Sequence, residues 1–577
     1  MDCHYSSLKK IYTDGDIEIV NCVGHLYDLA PPEYYGSEFK NWRKLPVIPE
    51  QFIYVERPET AEVCHHVIEL IKKHRNDEIL VATDADREGE IIARECLLKA
   101  GITDYSKIKR FWVSQALIPD VIRNGIAKAK PLSSYNQLAA QGFARQHADW
   151  LVGINLTRLL TVKNPNSKVL AVGRVQTAVL AEIANRCNKI AEFTPEKYYE
   201  FEGHFSDSSG RKISGHYFDK HKRYMFLNQD EDDKFAECKK AAIKILSVDK
   251  QDKNCNPPLL YNLTNLQKDA FRFFNFPAAK TLKIVQKLYE EYQCVSYPRT
   301  PSTVMGTANV ELCKHLYDKM IKTHIEYSNL VSKASIDRNN PHIFNDAKLE
   351  SHHALIPLAP LPETATVEDE NIYYLILEHF LLAFLPPEHY ERTVVELDIN
   401  GCNFTIIGKR VIDPGWKQFR ILTKILEEKA KTIEADSEVQ DLSNFDFDSI
   451  TLDGIEKYTK MTKSPKYYNE ASILSFMENP KAEAEDGCKL VGLGTPATKH
   501  MFIPKLIQNG CVDQIESGLK VTDKGLLLLG LLVKLDAPEM TNVAKTTEWE
   551  RQLETDPEQF ENDIKRYVSS VCSNLVI

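Results

Sequence analysis

The sequence has no C-x-x-C pair among its thirteen cysteines and no apolar run long enough to cross a bilayer. The cysteine count is odd and the residues are scattered, which argues against a disulfide framework and a zinc ribbon. The longest apolar run, GLLLLGLLVKL at 525–535, is far shorter than the ~20 residues that span a membrane. No stretch at the start has the pattern of a signal peptide. These absences predict a cytoplasmic protein with no membrane partner.

Length and composition predict several folded domains. A chain of 577 residues exceeds what one hydrophobic core serves, so we expect about three to five domains. With 43% hydrophobic and 27% charged residues, the composition is that of an ordinary globular protein. The net charge of −10 does not favour nucleic acid as a partner, but residues 141–180 contain five basic residues and only one acid. A local basic groove on an acidic protein therefore stays open.

Hydrophobic periodicity divides the chain into regions. Strand-like and helical patterns alternate from 17 to 130, which indicates an α/β unit with a mostly parallel sheet. Residues 131–190 are helical in pattern. Strand-like pieces at 196–250 return at 392–411, so one β domain is built from distant segments. Between 262 and 300, two helical patterns lead into the strand-like CVSYP, an order common in nucleic-acid-docking modules. The last third is mainly helical, with the clearest helical patterns at 465–479 and 495–510.

An acidic cluster follows an apolar strand in ILVATDADREGEII, residues 79–92. Side chains two apart on an extended chain point the same way, so Asp84 and Asp86 converge, and Glu88 joins them from the helix start. Three such acids repel each other unless a cation neutralises them, and hard oxygen ligands in small number suit Mg²⁺. The alternative is that the acids merely cap the helix N-terminus.

A tyrosine and an arginine stand close together in VSYPRTPS, residues 295–302. A phenol has a pKa of about 10 and is a poor nucleophile at neutral pH. A guanidinium at Arg299 would lower the pKa of Tyr297 and offset charge on a phosphate under attack. The alternative is a packed tyrosine beside a surface arginine.

These motifs resemble those of a known family. TDADREGE is similar to the signature of Toprim domains, and SYPRT resembles the active-site segment of type IA DNA topoisomerases. Other similar pieces follow in the family's order: VGHLYDLAPPEYY at 23–35, ARQHADWLVGINLTR at 144–158, AVGRVQTAVL at 171–180, SHHALIP at 351–357 and GLGTPATK at 492–499. The resemblance covers nearly the whole chain and is greatest to the topoisomerase III branch. A Toprim primase or nuclease would not need SYPRT or GRVQT.

The resemblance implies a multidomain α/β and α architecture, in which a Toprim domain, helical domains and a β-rich arch form a toroid. We expect a Toprim domain at 1–130 and a winged-helix-like domain carrying the tyrosine at 255–385. The helical DNA-binding domain would have two segments, 131–191 and 417–577. The β-rich arch would also have two, 192–254 and 386–416.

The resemblance also implies an activity and a set of roles. Such enzymes cut one DNA strand through a 5′-phosphotyrosine, pass another strand and reseal the break without ATP. Tyr297 is then the nucleophile, Arg299 and His352 act at the phosphate, and Asp84, Asp86 and Glu88 bind Mg²⁺. The residues predicted to contact DNA are Arg145, Arg174, Gln176, Thr495 and Lys499. The sequence alone also allows plainer roles: Arg145 could form an intrahelical salt bridge with Asp149, and Thr495 could cap a helix.

One departure concerns the start of the chain. Family members open with a strand ending in a motif like E-K-P-S, and only 22 residues here precede Val23, without that motif. We expect that the sequence is a fragment of a longer chain. The alternative is a catalytically impaired toroid that still binds single-stranded DNA. The expected setting is the bacterial cytoplasm, at the nucleoid, as a monomer acting on single-stranded or negatively supercoiled DNA, with a helicase as a further partner.

Overall fold

The computed structural model describes most of the chain, namely residues 4–6, 11–14, 17–113, 119–218, 238, 241–330, 333–349, 352–419, 440–480 and 492–573. The first region combines eight short strands with three helices. The strands are β1 (His4–Ser6), β2 (Ile11–Asp14), β3 (Ile17–Val20), β4 (Tyr27–Leu29), β5 (Tyr54–Glu56), β6 (Ile79–Val81), β7 (Ile108–Arg110) and β8 (Lys130–Pro131). The helices are α1 (Ala61–Lys73), α2 (Arg87–Lys99) and α3 (Pro119–Ala127).

The strands of this region pair mostly antiparallel, which differs from the mostly parallel sheet predicted. β1, β2 and β3 form one antiparallel sheet and β4 pairs antiparallel with β5, while β6 and β7 alone are parallel among the described strands. Antiparallel strands need only a short turn between them, whereas β6 and β7 are joined by a crossover through α2. β8 lies at the edge beyond β7, where Pro131 needs no hydrogen-bond partner for a backbone N–H.

Two long helices from the first half pack with helices from the end of the chain. They are α4 (Asn136–Lys163) and α5 (Arg174–Ala191). The later helices are α10 (Glu470–Glu478), α11 (Pro496–Gln508), α12 (Asp523–Lys534), α13 (Val543–Thr555) and α14 (Pro557–Ser573), with the hairpin β15 (Val512–Ile515) and β16 (Gly518–Val521). One core joins both parts: Leu156 and Leu180 pack in the same cluster as Leu528 and Phe560. Fully burying each such side chain contributes about 1.5–3 kcal/mol, so the two segments stabilise each other.

Six strands from distant segments form one antiparallel sheet. Its members are β9 (Lys197–Ser206), β10 (Lys212–Phe218), β11 (Ile243–Cys255), β12 (Glu388–Ile399), β13 (Cys402–Asp413) and β14 (Thr451–Met461), in the order β11-β12-β13-β10-β9-β14. Phe205, Val395 and Phe404 fill the core on one face. The sequence analysis placed 451–461 in the helical segment 417–577, whereas the structure places β14 at the edge of this sheet. An edge strand is largely exposed, so it lacks the apolar alternation that marks a buried strand.

The region around Tyr297 is helical. It contains α6 (Leu263–Phe274), α7 (Ala278–Glu290), α8 (Val310–Thr323) and α9 (Val367–Ala383) around a core of its own. The strand-like CVSYP makes only an isolated bridge, between Val295 and Pro357. Within the described part of the chain, no helix is both long and apolar enough to cross a membrane.

Polar contacts within the described part of the chain join this region to the acidic turn and to the later helices. Lys268 on α6 pairs with Glu478 on α10, and the backbone N–H of Ala278 donates to Glu470 at 2.6 Å. The Tyr297 hydroxyl donates to Asp84 at 2.8 Å. The chain also connects these regions through the six-stranded sheet. The contacts therefore complete a ring of domains.

Candidate active site

The turn between β6 and α2 holds the acidic residues in a fixed backbone path. Asp86 is the N-cap of α2, where its Oδ1 accepts the backbone N–H of Gly89 at 2.7 Å. The Thr83 hydroxyl donates to the carbonyl of Gly89 at 2.6 Å. A Cβ at position 89 would lie 2.2 Å from the main-chain oxygen of Asp84, so only glycine allows this close approach. The capping role considered from the sequence is therefore real for Asp86.

Asp84 faces the tyrosine. Its Oδ2 accepts the hydrogen bond of the Tyr297 hydroxyl at 2.8 Å, across 213 residues of sequence. The two strongest motifs of the sequence thus meet at one point. Burial and the charges of Asp84 and Glu88 raise the pKa of Asp86 despite its hydrogen bond from Gly89, as expected for carboxylates held close together.

Glu88 contacts His25, a residue for which the sequence predicted no role. The Nε2 atom of His25 lies 3.2 Å from Glu88 Oε2, and its Nδ1 lies 3.1 Å from Oε2 of the buried Glu95. Burial disfavours the charged ring, but hydrogen bonds and charges from both carboxylates raise the pKa of His25 to about 9. His25 is therefore a cation at neutral pH and donates to both acids. The only signal in the sequence was its place in VGHL, between two apolar residues just before β4.

The pKa of Glu88 moves in the opposite direction to that of Asp86. Burial disfavours its charged form, but the hydrogen bond from His25 and the charges of Arg145, His25 and Arg87 together lower its pKa. Glu88 therefore stays ionised at neutral pH even though it is partly buried.

The pKa of Tyr297 depends on burial and on the charges of nearby residues. Burial and the negative charges of Asp84 and Asp86 raise the pKa of Tyr297 well above its ordinary value, and Arg299 offsets only part of this effect. Arg299 thus acts in the direction predicted from the sequence, but burial and the two carboxylates outweigh it. The phenol is protonated at neutral pH, so its reaction requires a group that accepts the proton.

Two other predicted catalytic residues border Tyr297 and have unpaired polar atoms. The His352 ring lies 4.4 Å from the Tyr297 ring between centroids, and its Nε2 is buried without a hydrogen-bond partner. Burial lowers the pKa of His352 to about 4, so the ring is neutral. The Nε of Arg299 is also buried without a partner. Buried polar atoms normally have partners, so these two atoms mark where a polar ligand would bind.

A second cluster of arginines and acids lies beside Glu88. Arg174 is 1% exposed; its Nε donates to Asp149 at 3.0 Å and its Nη1 to Glu550 at 2.5 Å. Glu550 lies on α13, in the segment TTEWERQLE, and sequence reasoning missed it. Burial opposes the charge on Glu550, but Arg174 and Arg145 lower its pKa. A direct contact of Arg174 with DNA would require rearrangement of this cluster, and that role stays a prediction.

Arg145 lies between the two clusters. Its Nη1 is 3.7 Å from Glu88 Oε1 and has no hydrogen-bond partner, and its Nε is 3.9 Å from Asp149 Oδ2. The expected intrahelical bridge with Asp149 is therefore long, because Asp149 already binds Arg174. Arg145 remains oriented toward the acidic turn with one nitrogen available.

The remaining predicted DNA-binding residues lie on helix starts. Gln176 is half-buried in the first turn of α5, after Gly173. Thr495 is the N-cap of α11 and forms a capping box with Thr498. Lys499 is buried, with its Nζ 4.0 Å from Glu478 Oε1. The structure thus supports the capping role of Thr495, while contacts of these residues with DNA stay predictions.

The acidic residues are separated by their partners. Among the residues that the structure describes, no group of three or more His, Cys, Asp or Glu side chains is arranged to hold a metal ion. The reason is visible at each position: Asp84 faces Tyr297, Asp86 caps α2 and Glu88 faces His25.

Comparisons with known proteins found two matching families. The family described as Toprim domain matches residues 5–116, and the family described as DNA topoisomerase matches residues 133–556. The chain is 34% identical to DNA topoisomerase 3 of Bacillus subtilis over 563 residues, covering 94% of this chain and 74% of that protein. It is 31% identical to DNA topoisomerase 3 of Bacillus cereus strain ZK / E33L, covering 98% of this chain and 78% of that protein.

A solved structure shows the same fold. Full-length topoisomerase I from Thermotoga maritima matches with a TM-score of 0.67 and 21% identity, over 96% of this chain and 85% of that chain. The type IA topoisomerase architecture predicted from the sequence is confirmed. The chain belongs to the DNA topoisomerase family, as a type IA member similar to topoisomerase III. It is an isomerase that acts on DNA.

Proposed function

We propose that this chain relaxes or decatenates DNA by cutting one strand through Tyr297, passing a second strand and resealing the break. The observation that carries the proposal is the 2.8 Å hydrogen bond between the Tyr297 hydroxyl and Asp84. It brings a nucleophile and a proton acceptor from distant parts of the chain to one junction. A half-buried tyrosine that served packing alone would not need a carboxylate partner from another domain.

The first step is attack of the Tyr297 oxygen on a backbone phosphorus. The phenolic proton passes to Asp84, the P–O bond to the 3′ oxygen breaks, and the proton passes on from Asp84 to that oxygen, which leaves as a 3′-hydroxyl. The strand stays attached as a 5′-phosphotyrosine. The free 3′-hydroxyl later attacks the same phosphorus and releases the tyrosine. One phosphodiester is exchanged for another at each step, so the cycle needs no ATP.

Arg299 and His352 stabilise the phosphate under attack. The guanidinium of Arg299 opposes the charge that builds on the phosphate oxygens, and the neutral His352 ring supplies a hydrogen bond from its unpaired Nε2. The His352 ring borders that of Tyr297, Arg299 follows two residues after it, and each has a nitrogen without a hydrogen-bond partner. Preorganised donors of this kind need little rearrangement as the charge develops.

The acidic turn fits Mg²⁺ in the kind of donor it offers. Asp84, Asp86 and Glu88 supply hard carboxylate oxygens. The charges of Asp84 and Glu88 add to burial in raising the pKa of Asp86, and a cation would relieve this repulsion. Mg²⁺ is commonly bound through one or two carboxylates together with phosphate oxygens, so a complete protein cage is not required. When bound, the ion would neutralise phosphate charge beside the reacting atoms.

The substrate strand would bind along the junction between the acidic turn and α4, α5 and α11. Arg145 offers a nitrogen without a hydrogen-bond partner, and Gln176, Thr495 and Lys499 lie in the first turns of α5 and α11. Such contacts would position a backbone without reading its sequence. We propose single-stranded or negatively supercoiled DNA as the substrate, a monomer as the active form, a helicase as partner and the bacterial nucleoid as the location.

The test replaces Tyr297 with phenylalanine. Incubation with a labelled single-stranded oligonucleotide and Mg²⁺, followed by denaturant, should trap a covalent adduct with the unmodified protein and none with Tyr297→Phe. Tyr289→Phe is the matched control. The Tyr289 ring lies only 5.6 Å from that of Tyr297, but Tyr289 has no role at Asp84 in the proposed mechanism. DNA binding measured by fluorescence anisotropy should be unchanged in both variants.

Two results would contradict the proposal. An adduct that persists in Tyr297→Phe would assign the nucleophile elsewhere. Binding of the oligonucleotide without any adduct by the unmodified chain, across a range of Mg²⁺ concentrations, would favour the alternative of a catalytically impaired DNA clamp.

A further inference from the structure

Arg110, at the end of β7, is a completely buried arginine that binds the acidic turn. Its side chain is 0% exposed. The Nη1 atom donates to the carbonyl of Thr83 at 2.7 Å and to that of Phe111 at 2.9 Å, and Nη2 donates to the carbonyl of Asp84 at 2.5 Å. The Nε atom donates to Glu90 Oε2 at 2.9 Å. Arg110 therefore bonds both to the backbone beside the nucleophile's partner and to a buried acid.

Glu90 supplies the opposite charge and anchors the guanidinium. It is also 0% exposed, and its other oxygen accepts from Arg94 Nε at 2.9 Å. Arg94 in turn donates to the carbonyl of Leu132 at 2.8 Å and to the side chain of Asn136. Two arginines around one carboxylate, all buried, form a network whose charges and donors fix one geometry. Removing one member leaves a buried group without its partner, so the network resists distortion.

The backbone that Arg110 binds lies outside regular secondary structure, so no helix or sheet hydrogen bonds fix it. β6 ends at Val81 and α2 begins at Arg87, so the carbonyls of Thr83 and Asp84 lie between a ladder and a helix. Buried carbonyls need donors, and Arg110 provides them from one side. On the other side, the Asp84 backbone lies against Gly89, where no Cβ would fit. The main chain of Asp84 is thus held between Arg110 and Gly89, and its side chain points to Tyr297.

We propose that Arg110 is a positioning residue for DNA cleavage: it fixes the main chain of Asp84 so that the carboxylate meets the Tyr297 hydroxyl. This inference rests on the proposed function. Arg110 does not touch the DNA or the reacting atoms. Its contribution comes from the forked guanidinium, which can serve two carbonyls and a carboxylate at once, as a lysine ammonium cannot.

The test is a double-mutant cycle between positions 110 and 84, with Arg94 as the matched control. Arg110→Lys should slow single-turnover cleavage of a labelled oligonucleotide about 10- to 100-fold, the range expected when a catalytic group is displaced by about 1 Å. The dissociation constant for DNA should stay within about 2-fold of the unmodified protein. In the Asp84→Asn background, whose residual cleavage is followed over hours, Arg110→Lys should cause less than about 3-fold further loss, because its effect passes through Asp84.

Arg94→Lys separates positioning from stability. Arg94 binds the same carboxylate and is equally buried, but it contacts Leu132 and Asn136 rather than the acidic turn. It should lower the melting temperature about as much as Arg110→Lys while changing cleavage by less than about 3-fold in either background. Equal losses of cleavage from the two lysine variants, or a loss from Arg110→Lys that multiplies fully with that of Asp84→Asn, would overturn the inference.

A second variant covers the case in which Arg110→Lys does not fold. Glu90→Gln keeps the guanidinium and removes the charge that anchors it, so it should also slow cleavage through Asp84 while DNA binding is retained. Unchanged cleavage in Glu90→Gln would then overturn the inference. The failures are distinguishable: adducts in Tyr297→Phe contradict the proposed function, whereas a required Tyr297 with unaffected Arg110 and Glu90 variants contradicts only the role of Arg110.

Discussion

Arg174 and Arg299, both assigned to the DNA backbone from the sequence, lie in opposite surroundings. Arg174 is 1% exposed and donates to two carboxylates, Asp149 and Glu550. Arg299 is half-buried beside Tyr297, and its Nε has no hydrogen-bond partner. Each arginine has one buried nitrogen without a hydrogen-bond partner, Nη2 of Arg174 and Nε of Arg299, but within the described part of the chain only Arg174 is paired with carboxylates.

The difference separates residues whose charge stabilises the structure of the site from residues whose charge is left to interact with the substrate. A buried charge with matched counter-charges stabilises one arrangement of helices, here α4, α5 and α13. A half-buried cation without a carboxylate partner gains its full interaction only when a phosphate binds. We therefore expect Arg174 to affect mainly stability and Arg299 mainly cleavage.

The largest effect should come from Arg174→Met. This change leaves Asp149 and Glu550 without their cation, and breaking a buried ion pair typically costs about 3–5 kcal/mol of folding free energy. Urea unfolding would measure the loss. Arg158→Met is the control, since Arg158 is also buried but donates to the carbonyl of Phe39, so its loss should cost about 1–3 kcal/mol.

Adding Glu550→Gln to Arg174→Met should recover part of the lost stability, because one uncompensated charge is removed. Equal destabilisation by Arg174→Met and Arg158→Met would show that the two carboxylates do not depend on Arg174, and the contrast with Arg299 would lose its basis.

Arg299→Ala should act on the reaction instead. Loss of a preorganised donor at a developing charge typically slows a reaction about 10²- to 10³-fold, equivalent to about 3–4 kcal/mol. Single-turnover cleavage of an oligonucleotide measures this, and Arg299→Lys should recover part of the rate because the charge returns without the fork. Arg272→Ala, an exposed arginine on α6, is the control. A fall in melting temperature as large as that of Arg174→Met would contradict the assignment.

Sequence reasoning found the two motifs predicted to be catalytic but could not show how they meet. The apolar patterns predicted α6 and α7 and the strand-to-helix turn at 79–92, because local periodicity and capping residues determine those elements. The meeting of Tyr297 with Asp84 came only from the family resemblance. No local pattern relates residues 213 positions apart.

The residues missed from the sequence are those whose roles depend on distant partners. His25 has a role because Glu88 and Glu95 reach it from α2, and Glu550 because Arg174 reaches it from α5. The net rise in the pKa of Tyr297 was missed for the same reason, although Arg299 lowers that pKa as predicted. The sequence shows Arg299 two positions away, but the acids that outweigh it come from another domain.

His352 sharpens the comparison through pH. Burial lowers its pKa to about 4, against about 6.5 when unfolded, so the unfolded state binds the extra proton between these values. The stability that neutral His352 allows is complete above pH 6.5 and is lost as the pH falls toward 4, by up to about 3 kcal/mol. Urea unfolding from pH 7 to 4 should therefore show a smaller decline for His352→Gln than for the unmodified protein.

His74 provides a control of opposite sign. Hydrogen bonds from its ring to Asp77 and Glu18 raise its pKa, so its contribution to stability is complete below the unfolded value and is lost as the pH rises through the folded one. His74→Gln should therefore leave the decline below pH 6 in place. Parallel unfolding curves for His352→Gln and the unmodified protein would mean that His352 is not held neutral at the junction.

The smallest effect concerns the ion pair between Glu478 and Lys268, which completes the ring of domains. Glu478 on α10 faces Lys268 on α6 and Lys499 on α11. In the proposed function, strand passage would require the Tyr297 region to move away from the rest of the protein. Partly exposed ion pairs contribute about 0.2–1 kcal/mol, so Glu478→Gln should change the relaxation rate of supercoiled DNA by no more than about 5-fold, more at low salt than at high salt. Cleavage of a short oligonucleotide needs no opening and should be unchanged.

Glu368→Gln is the control, because Glu368 pairs with Lys280 within the Tyr297 region itself and this pair stays intact when the region moves. An equal change in relaxation by both variants would show that the rate responds to surface charge alone, and not to the contact between Glu478 and Lys268.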